Sequence, residues 1–283
     1  MQQYTYMDNS AATRLDERVW EAMAPFYLDS YAVATSEFGH SMGLDARETL
    51  INARTALAQR LGITEKELVF TSGDTESSNM ALKGVVRAQE KKGKHIVVSA
   101  IEDFPVLNSA KALERRGYKV TYLPVKKDGL VDLDQLRAAI TAKTTLVSIM
   151  AANNEIGVLQ PIGEIGAIAR EKGVLFHTDA VQAVGKVPFD VNASNIHLAS
   201  LTAHKIYGPK GVGALYVRRR NPRVLLTPII DGGGHERGMR SGTLNVPGIA
   251  GFGKAAEICR LEMAAEGARI RAMRDRLNRE LHE

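Results

Sequence analysis

The feature that most restricts this chain is a regular alternation of short apolar runs and longer amphipathic ones through its middle. Glu67 to Thr71, His95 to Ser99, Lys119 to Pro124, Thr145 to Met150 and Val174 to His177 each read as a strand. Between them, helical spacing runs from Thr75 to about Lys91, from Pro105 to Arg116, from Leu133 to Ile140 and from Ile162 to Lys172. Two more strands follow, the approach through Ile196, Leu198 and Leu201, and Gly213 to Arg218. Strands this short and this uniformly apolar, separated by helices, predict an α/β fold: a mostly parallel sheet covered on both faces. Before the alternation, Tyr4 to Met7 reads as a short strand, Leu15 to Leu28 as a helix, Gly39 to Gly43 as a flexible crossing and Leu44 to Leu61 as a long helix.

In such sheets ligands bind beyond the strand carboxyl ends, and the polar residues gather there: Thr75, Glu102 with Asp103, Asn154, Asp179, and Thr202 to Lys205. Ser72-Gly73-Asp74-Thr75-Glu76 joins a strand to a helix start, where free N–H groups and the Thr75 hydroxyl suit a phosphate. Asp74 and Thr75 equally suit plain helix capping. Lys205 sits at a strand end between Thr202, His204 and a Gly/Pro turn. Desolvation and neighbouring cations lower the pKa of a lysine so placed and fit it for Schiff-base chemistry; a surface lysine at a turn is the alternative. Asp179 ends an apolar strand and needs a cationic partner, with Gln182 three residues on. A lysine for an imine, an aspartate for a pyridinium and a helix start for a phosphate are together what pyridoxal phosphate requires.

Composition removes other classes. The net charge is +5, but acids and bases are interleaved, and the one dense basic run, Arg218 to Arg220 with Arg223, reads as a solvated turn after a strand. No nucleic-acid partner is expected from that pattern. Cys259 is the only cysteine, which excludes an internal disulfide, and the 7 histidines lack ligand spacing for a metal. No run is long and apolar enough to span a membrane and the first residues lack a leader pattern, so the expected location is cytoplasmic.

The motifs Thr71-Ser72-Gly73-Asp74-Thr75-Glu76, Asn153-Asn154-Glu155-Ile156-Gly157, His177-Thr178-Asp179-Ala180, Ala203-His204-Lys205-Ile206-Tyr207-Gly208-Pro209-Lys210-Gly211 and Gly232 to Thr243 resemble the cysteine desulfurases of the class V aminotransferase family. The resemblance starts at Tyr6-Met7-Asp8-Asn9 and runs almost end to end. It implies the large domain of a fold type I pyridoxal-phosphate enzyme, with a seven-stranded mostly parallel sheet, helices on both faces and an incomplete small domain. The implied division is residues 1–14 for the small domain's N-terminal segment, 15–250 for the cofactor domain, and 251–283 for a helix leading into a truncated small domain. Implied roles are Lys205 as Schiff-base lysine and base, Asp179 at the ring nitrogen and Gln182 at the phenolic oxygen. Thr75, Thr202 and His204 would hold the phosphate, Thr243 a neighbouring subunit's phosphate, and Asn154 would lie near cofactor and substrate. The implied activity takes sulfur from L-cysteine, leaving alanine and a protein persulfide, in a homodimer that serves a sulfur acceptor or an iron–sulfur scaffold protein.

Three positions depart from the family pattern. Asp74 replaces an alanine beside the phosphate threonine, and Asp103 stands where a stacked, catalytic histidine is usual. The third is the nucleophilic cysteine of the family, which has no counterpart here: Cys259 lies in a helical apolar pattern and reads as core. The expectation is therefore a truncated desulfurase. Another class V pyridoxal-phosphate enzyme, a transaminase or lyase, or a catalytically silent partner protein is the alternative.

Overall fold

The structure, a computed structural model, describes residues 5–36 and 39–282. Its centre is a sheet of seven strands, β1 (Leu68–Thr71), β2 (His95–Ser99), β3 (Lys119–Leu123), β4 (Thr144–Ser148), β5 (Leu175–Asp179), β6 (Leu198–Thr202) and β7 (Gly213–Val217), in the order β1-β7-β6-β5-β4-β2-β3. Neighbours from β6 through β3 run parallel, whereas β7 is antiparallel to both β6 and β1. Every strand except the edge strand β3 is buried along its whole length, as two covered faces require.

The period-two alternation of each strand sends side chains into two separate cores. Leu68, Phe70, Val97, Val147, Phe176, Ala199 and Tyr216 enter one, beneath α3 (Ser41–Leu61), α8 (Ile162–Glu171) and the first half of α9 (Val246–His282). Val69, Ile96, Val98, Leu146, Leu175, Leu198 and Leu215 enter the other, beneath the helix that follows β1 and α6 (Phe104–Glu114). By the same alternation Ser148, His177, Asp179, Ser200 and Thr202 face the second core. α9 lies tightly on α3: a Cβ at Gly253 would come within 2.5 Å of Ala53 Cα.

Local chemistry sets the remaining elements. α1 (Glu17–Met23) is capped by the Asp16 carboxylate, which accepts from Arg18 N, and Pro25 starts the separate α2 (Pro25–Leu28). α3 ends at Gly62, which takes φ +65° and returns its N–H to Ala58 and Gln59. The helix after β1 is α4 (Asp74–Asn79), a π-turn over Met80–Gly84, then α5 (Val85–Ala88). α7 (Leu133–Ala139) is capped by Asp132.

Several expected bounds shift. Of the expected strand at Tyr4 to Met7, Tyr4 lies outside the described residues and residues 5–7 form no strand. The helix expected over Leu15 to Leu28 is broken at Ala24, because Pro25 cannot donate to the ladder. Gly43 lies inside α3 rather than in a crossing. β5 extends to Asp179, so that carboxylate belongs to the strand itself.

Candidate active site

β5, β6 and β1 deliver their last residues to one end of the sheet. Asp179 is 1% exposed; its Oδ1 accepts from Val181 N at 3.0 Å, and its Oδ2 has no hydrogen-bond partner among the described residues. Burial pushes its pKa up to about 7, helped by the charges of Asp74 and Asp103 and opposed by Lys205. One strand away, Thr202 closes β6 and its Oγ1 bonds His204 Nδ1 at 2.9 Å, after which a 3-10 turn, Ala203–Lys205, turns the lysine back toward the N-terminal segment.

That segment is stitched to the lysine turn. Thr13 N and Thr13 Oγ1 both donate to His204 O, each at 2.9 Å, and Tyr207 N donates to Thr13 Oγ1 at 2.7 Å. Lys205 Nζ donates to Ser10 O at 2.5 Å and Ala11 O at 2.9 Å, while Gln182 Nε2 donates to the same Ser10 O at 3.1 Å. Lys205 and Gln182 therefore converge on one carbonyl oxygen. Gln182 Oε1 in turn accepts from Lys186 Nζ at 2.6 Å, a lysine whose pKa burial and Lys205 push down to about 8. The sequence signal for Lys186 was its i+4 spacing from Gln182.

Beside this lies a cleft of about 320 Å³, lined by Ala11, Ala12, Ser72 to Glu76, His204, Lys210 and Gly211. Its floor depends on two close-packed glycines. Gly73 takes φ +151°, and a Cβ on Gly213 would come within 2.7 Å of Gly73 Cα and 2.5 Å of Leu201 O. Asp74, Thr75 and His204 share the cleft. Burial and Lys205 hold the His204 pKa below its usual value, against a smaller opposite pull from Asp74. Glu76, also in the cleft, accepts Arg240 Nε at 2.7 Å, Arg240 Nη2 at 3.2 Å and Ser72 N at 2.8 Å. These bonds hold its pKa below the usual carboxylate value against the opposing effect of burial.

The remaining candidates stand apart. Asp103 caps α6, accepting from Phe104 N at 2.7 Å. Asn154 donates to its neighbour Glu155 at 3.2 Å. Thr243 is exposed and does not line the cleft. Cys259 is buried on α9 against Gly185, and burial raises its thiol pKa. The basic run lies elsewhere. Arg220 and Arg223 are exposed after β7, and with Arg219 they line a groove of about 800 Å³ against the end of α3.

Sequence reasoning missed two buried features. His177 sits on β5 one turn of the pleat before Asp179, bonded to Ser148 Oγ (2.8 Å) and Ser200 Oγ (2.9 Å), and Ser200 Oγ meets Ser78 Oγ at 3.0 Å. Burial drops the His177 pKa to about 3, so it stays neutral. Glu236 is buried against Arg54 (2.6 Å) and accepts Phe70 N at 2.8 Å, closing the free edge of β1.

Comparisons with known proteins identify the family and the fold. The aminotransferase class-V family profile matches residues 5–283. A cysteine desulfurase IscS of Anaeromyxobacter sp. (strain Fw109-5) is 57% identical over 276 residues, covering 98% of this chain and 68% of that protein. The one from Rickettsia rickettsii (strain Iowa) is 50% identical, covering 98% and 67%. Among solved structures, a NifS-like protein superposes with a TM-score of 0.94 at 42% identity, covering 99% of this chain and 76% of that one. SspA in complex with cysteine gives 0.85 at 42% identity, covering 90% and 72%. With its sheet order, its strand-end lysine and aspartate, and identities of half or more to named desulfurases, the chain belongs to the cysteine desulfurases of the class V aminotransferase family.

Proposed function

We propose that Lys205, Asp179, Gln182 and the Ser72–Glu76 cleft form the cofactor and substrate site of a pyridoxal-phosphate-dependent cysteine desulfurase acting on L-cysteine. The observation that carries the assignment is the buried Asp179 Oδ2, which has no hydrogen-bond partner among the described residues and lies within electrostatic reach of Lys205. A carboxylate oxygen this buried is costly unless a cation or a donor meets it. The N–H of a protonated ring nitrogen supplies both, so the donor set fits the group.

When bound, pyridoxal phosphate supplies an aldehyde carbon for an amine and a ring that accepts the electron pair left at the substrate α-carbon. The chain's own residues would do the rest. Thr75, Thr202 and His204 would hold the phosphate together with the N–H groups that open α4, with Asp74 at the rim of the cleft. Asp179 would keep the ring nitrogen charged, and Gln182 would donate to the ring oxygen. Lys205, whose ammonium bonds Ser10 O and Ala11 O, would be the amine that holds the cofactor's aldehyde carbon and the base for the proton at the substrate α-carbon. Asn154 and Asp103 would border the substrate. Asp103 is a carboxylate engaged at a helix start, so it would not stack on the ring as the family's histidine does.

Sulfur acceptance in this reading falls to a thiol outside these 283 residues, because Cys259 is the chain's only cysteine and is buried. The division at residues 14 and 250 is part of the same proposal, although the buried face of α9 runs on to Cys259. An exposed Thr243, away from its own cleft, supports a homodimer in which it serves the second copy, and a sedimentation mass of one chain would count against that. A sulfur-acceptor or iron–sulfur scaffold partner completes the proposal. No helix among the described residues is long and apolar enough to cross a membrane, and a cytoplasmic setting is proposed with it.

The test is chemical. The chain incubated with pyridoxal phosphate should turn yellow, and borohydride should fix the cofactor on Lys205, located by peptide mass. A fixed adduct on Lys186 or Lys210, or one that survives Lys205→Ala, would overturn the assignment.

A further inference from the structure

Glu102 is a second buried carboxyl at this end of the sheet, and the proposed chemistry does not use it. It is 4% exposed, and its two oxygens are treated unequally. Oε1 accepts from Ser99 Oγ at 2.5 Å and from Met150 N at 2.7 Å, while Oε2, also buried, has no partner among the described residues. An ionised carboxylate shares its charge over both oxygens, so a bare buried oxygen disfavours that form. A neutral acid matches the pattern: Oε1 as a carbonyl taking two donors, Oε2 as the hydroxyl.

The bond to Met150 N has a particular place in the sheet. Beyond β4, Ile149 N and Ala151 N donate to His177 O and Asp179 O of β5, so Met150 N points the other way, toward β2. β2 has already ended there, and Ala100 N pairs with Leu123 O instead. The Glu102 side chain thus stands in for the missing ladder acceptor. Asn153 fastens the other side, donating from Nδ2 to Ile101 O at 3.0 Å, with its Oδ1 accepting Glu155 N and Ile156 N. Together they join the turn that carries Asp103 to the turn that carries Asn154, next to Asp179.

We propose that Glu102 is a positioning residue held as a neutral acid: it fixes the Ala100–Asp103 turn to the end of β4 and leaves Asp179 as the ionised carboxyl of this buried layer. The charged groups facing it are Asp179 from β5 and Asp103 from the start of α6, and both favour its proton. Burial and these two charges push its pKa up to about 8. The role rests on the cofactor site proposed above, because its purpose is to keep one negative charge, not two, for one ring cation.

The test compares Glu102→Gln, Glu102→Ala and Glu102→Asp in the full chain, by pyridoxal phosphate titration and by infrared spectra without the cofactor at pH 7. Glutamine reproduces the neutral acid, so it should bind within about threefold of wild type, whereas alanine and the shorter aspartate leave Met150 N unpaired and should bind tenfold or more weakly. The protonated-carboxyl C=O band of the wild type should lose intensity in Glu102→Gln. Glutamine binding as weakly as alanine, or an unchanged band in Glu102→Gln, would overturn the proposal. If Glu102→Ala does not fold, the glutamine comparison and the band still decide. A wild-type chain that fails to bind the cofactor at all would sink the site reading, while the infrared comparison still judges the neutral acid.

Discussion

Replacing Asp179 with asparagine should stabilise the cofactor-free chain at pH 8 and, by the same change, weaken its hold on pyridoxal phosphate. Asp179 is buried, one oxygen has no partner among the described residues, and its pKa is pushed up to about 7 from an ordinary 3.8. The folded state therefore keeps a proton that the unfolded chain gives up as pH rises through the carboxylate range. Stability is then lost between about pH 4 and pH 7. At about 1.4 kcal/mol for each tenfold change in proton affinity, the loss reaches roughly 4 kcal/mol by pH 8. Asparagine keeps the Val181 N–H bond and avoids the charge, but its buried NH₂ lacks an acceptor, at a cost of about 1–3 kcal/mol. The variant should gain about 1–3 kcal/mol at pH 8, and its advantage should be about 2–3 kcal/mol smaller at pH 5. Urea unfolding of both proteins at the two pH values measures this. Saturating cofactor should then raise wild-type stability far more than that of the variant, since only the ionised aspartate meets a cation. Parallel pH dependence in the two proteins, or equal stabilisation by cofactor, would show that Asp179 ionises freely and that the reasoning is wrong.

Two further outcomes follow from α9. Incubated with cofactor and L-cysteine, the chain should form no persulfide on Cys259 at a catalytic rate, because its thiol is buried and its pKa raised; mass spectrometry of the 259 peptide checks this, and rapid, cofactor-dependent labelling there would contradict it. Hydrogen exchange should be fast in α9 beyond about Ala265, where Ile270, Met273, Leu277 and Leu281 are all exposed and an isolated helix is marginal, and slow in β5 and β6. Strong protection out to Leu281 that does not depend on concentration would mean the helix finds support within its own chain.

The fold was legible because its signal is local. Five of the seven strands announce themselves as apolar runs between helical spacings, and their polar ends mark the site without any knowledge of pairing. Pro25 marked the helix break that the apolar spacing through Leu15–Leu28 concealed, and the π-turn at Met80–Gly84 leaves no periodic signature. The proposed site was legible as residue types and only partly as geometry. Lys205, Gln182 and Asp179 were named, but nothing in sequence spacing tells that the first two share Ser10 O. The Arg240–Glu76 pair joins residues 164 apart, and Arg54–Glu236 joins residues 182 apart. Such pairs have no period and no neighbouring signal; only the packed chain creates them.

The two acidic departures, Asp74 and Asp103, bear on whether the cleft can still take an anion. Two acidic side chains, Asp74 and Glu76, line it, and two more, Asp103 and Asp179, stand outside it at the same end of the sheet. They are not equivalent. Glu76 is neutralised by a two-pronged bond to Arg240, and Asp103 spends its charge on the N–H that opens α6. Asp179 is separated from the cleft by burial and oriented for a cation. Only Asp74 remains beside the proposed phosphate position, and it shares that cleft with His204 and Lys210. Its pull on His204 favours the protonated ring but is outweighed by burial and Lys205, so the cation that shares the cleft with Asp74 is Lys210. The added carboxylate thus weakens the anion site by its own charge, and Lys210 in the same cleft offsets it, so a phosphate-holding cleft and an aspartate at this position are compatible.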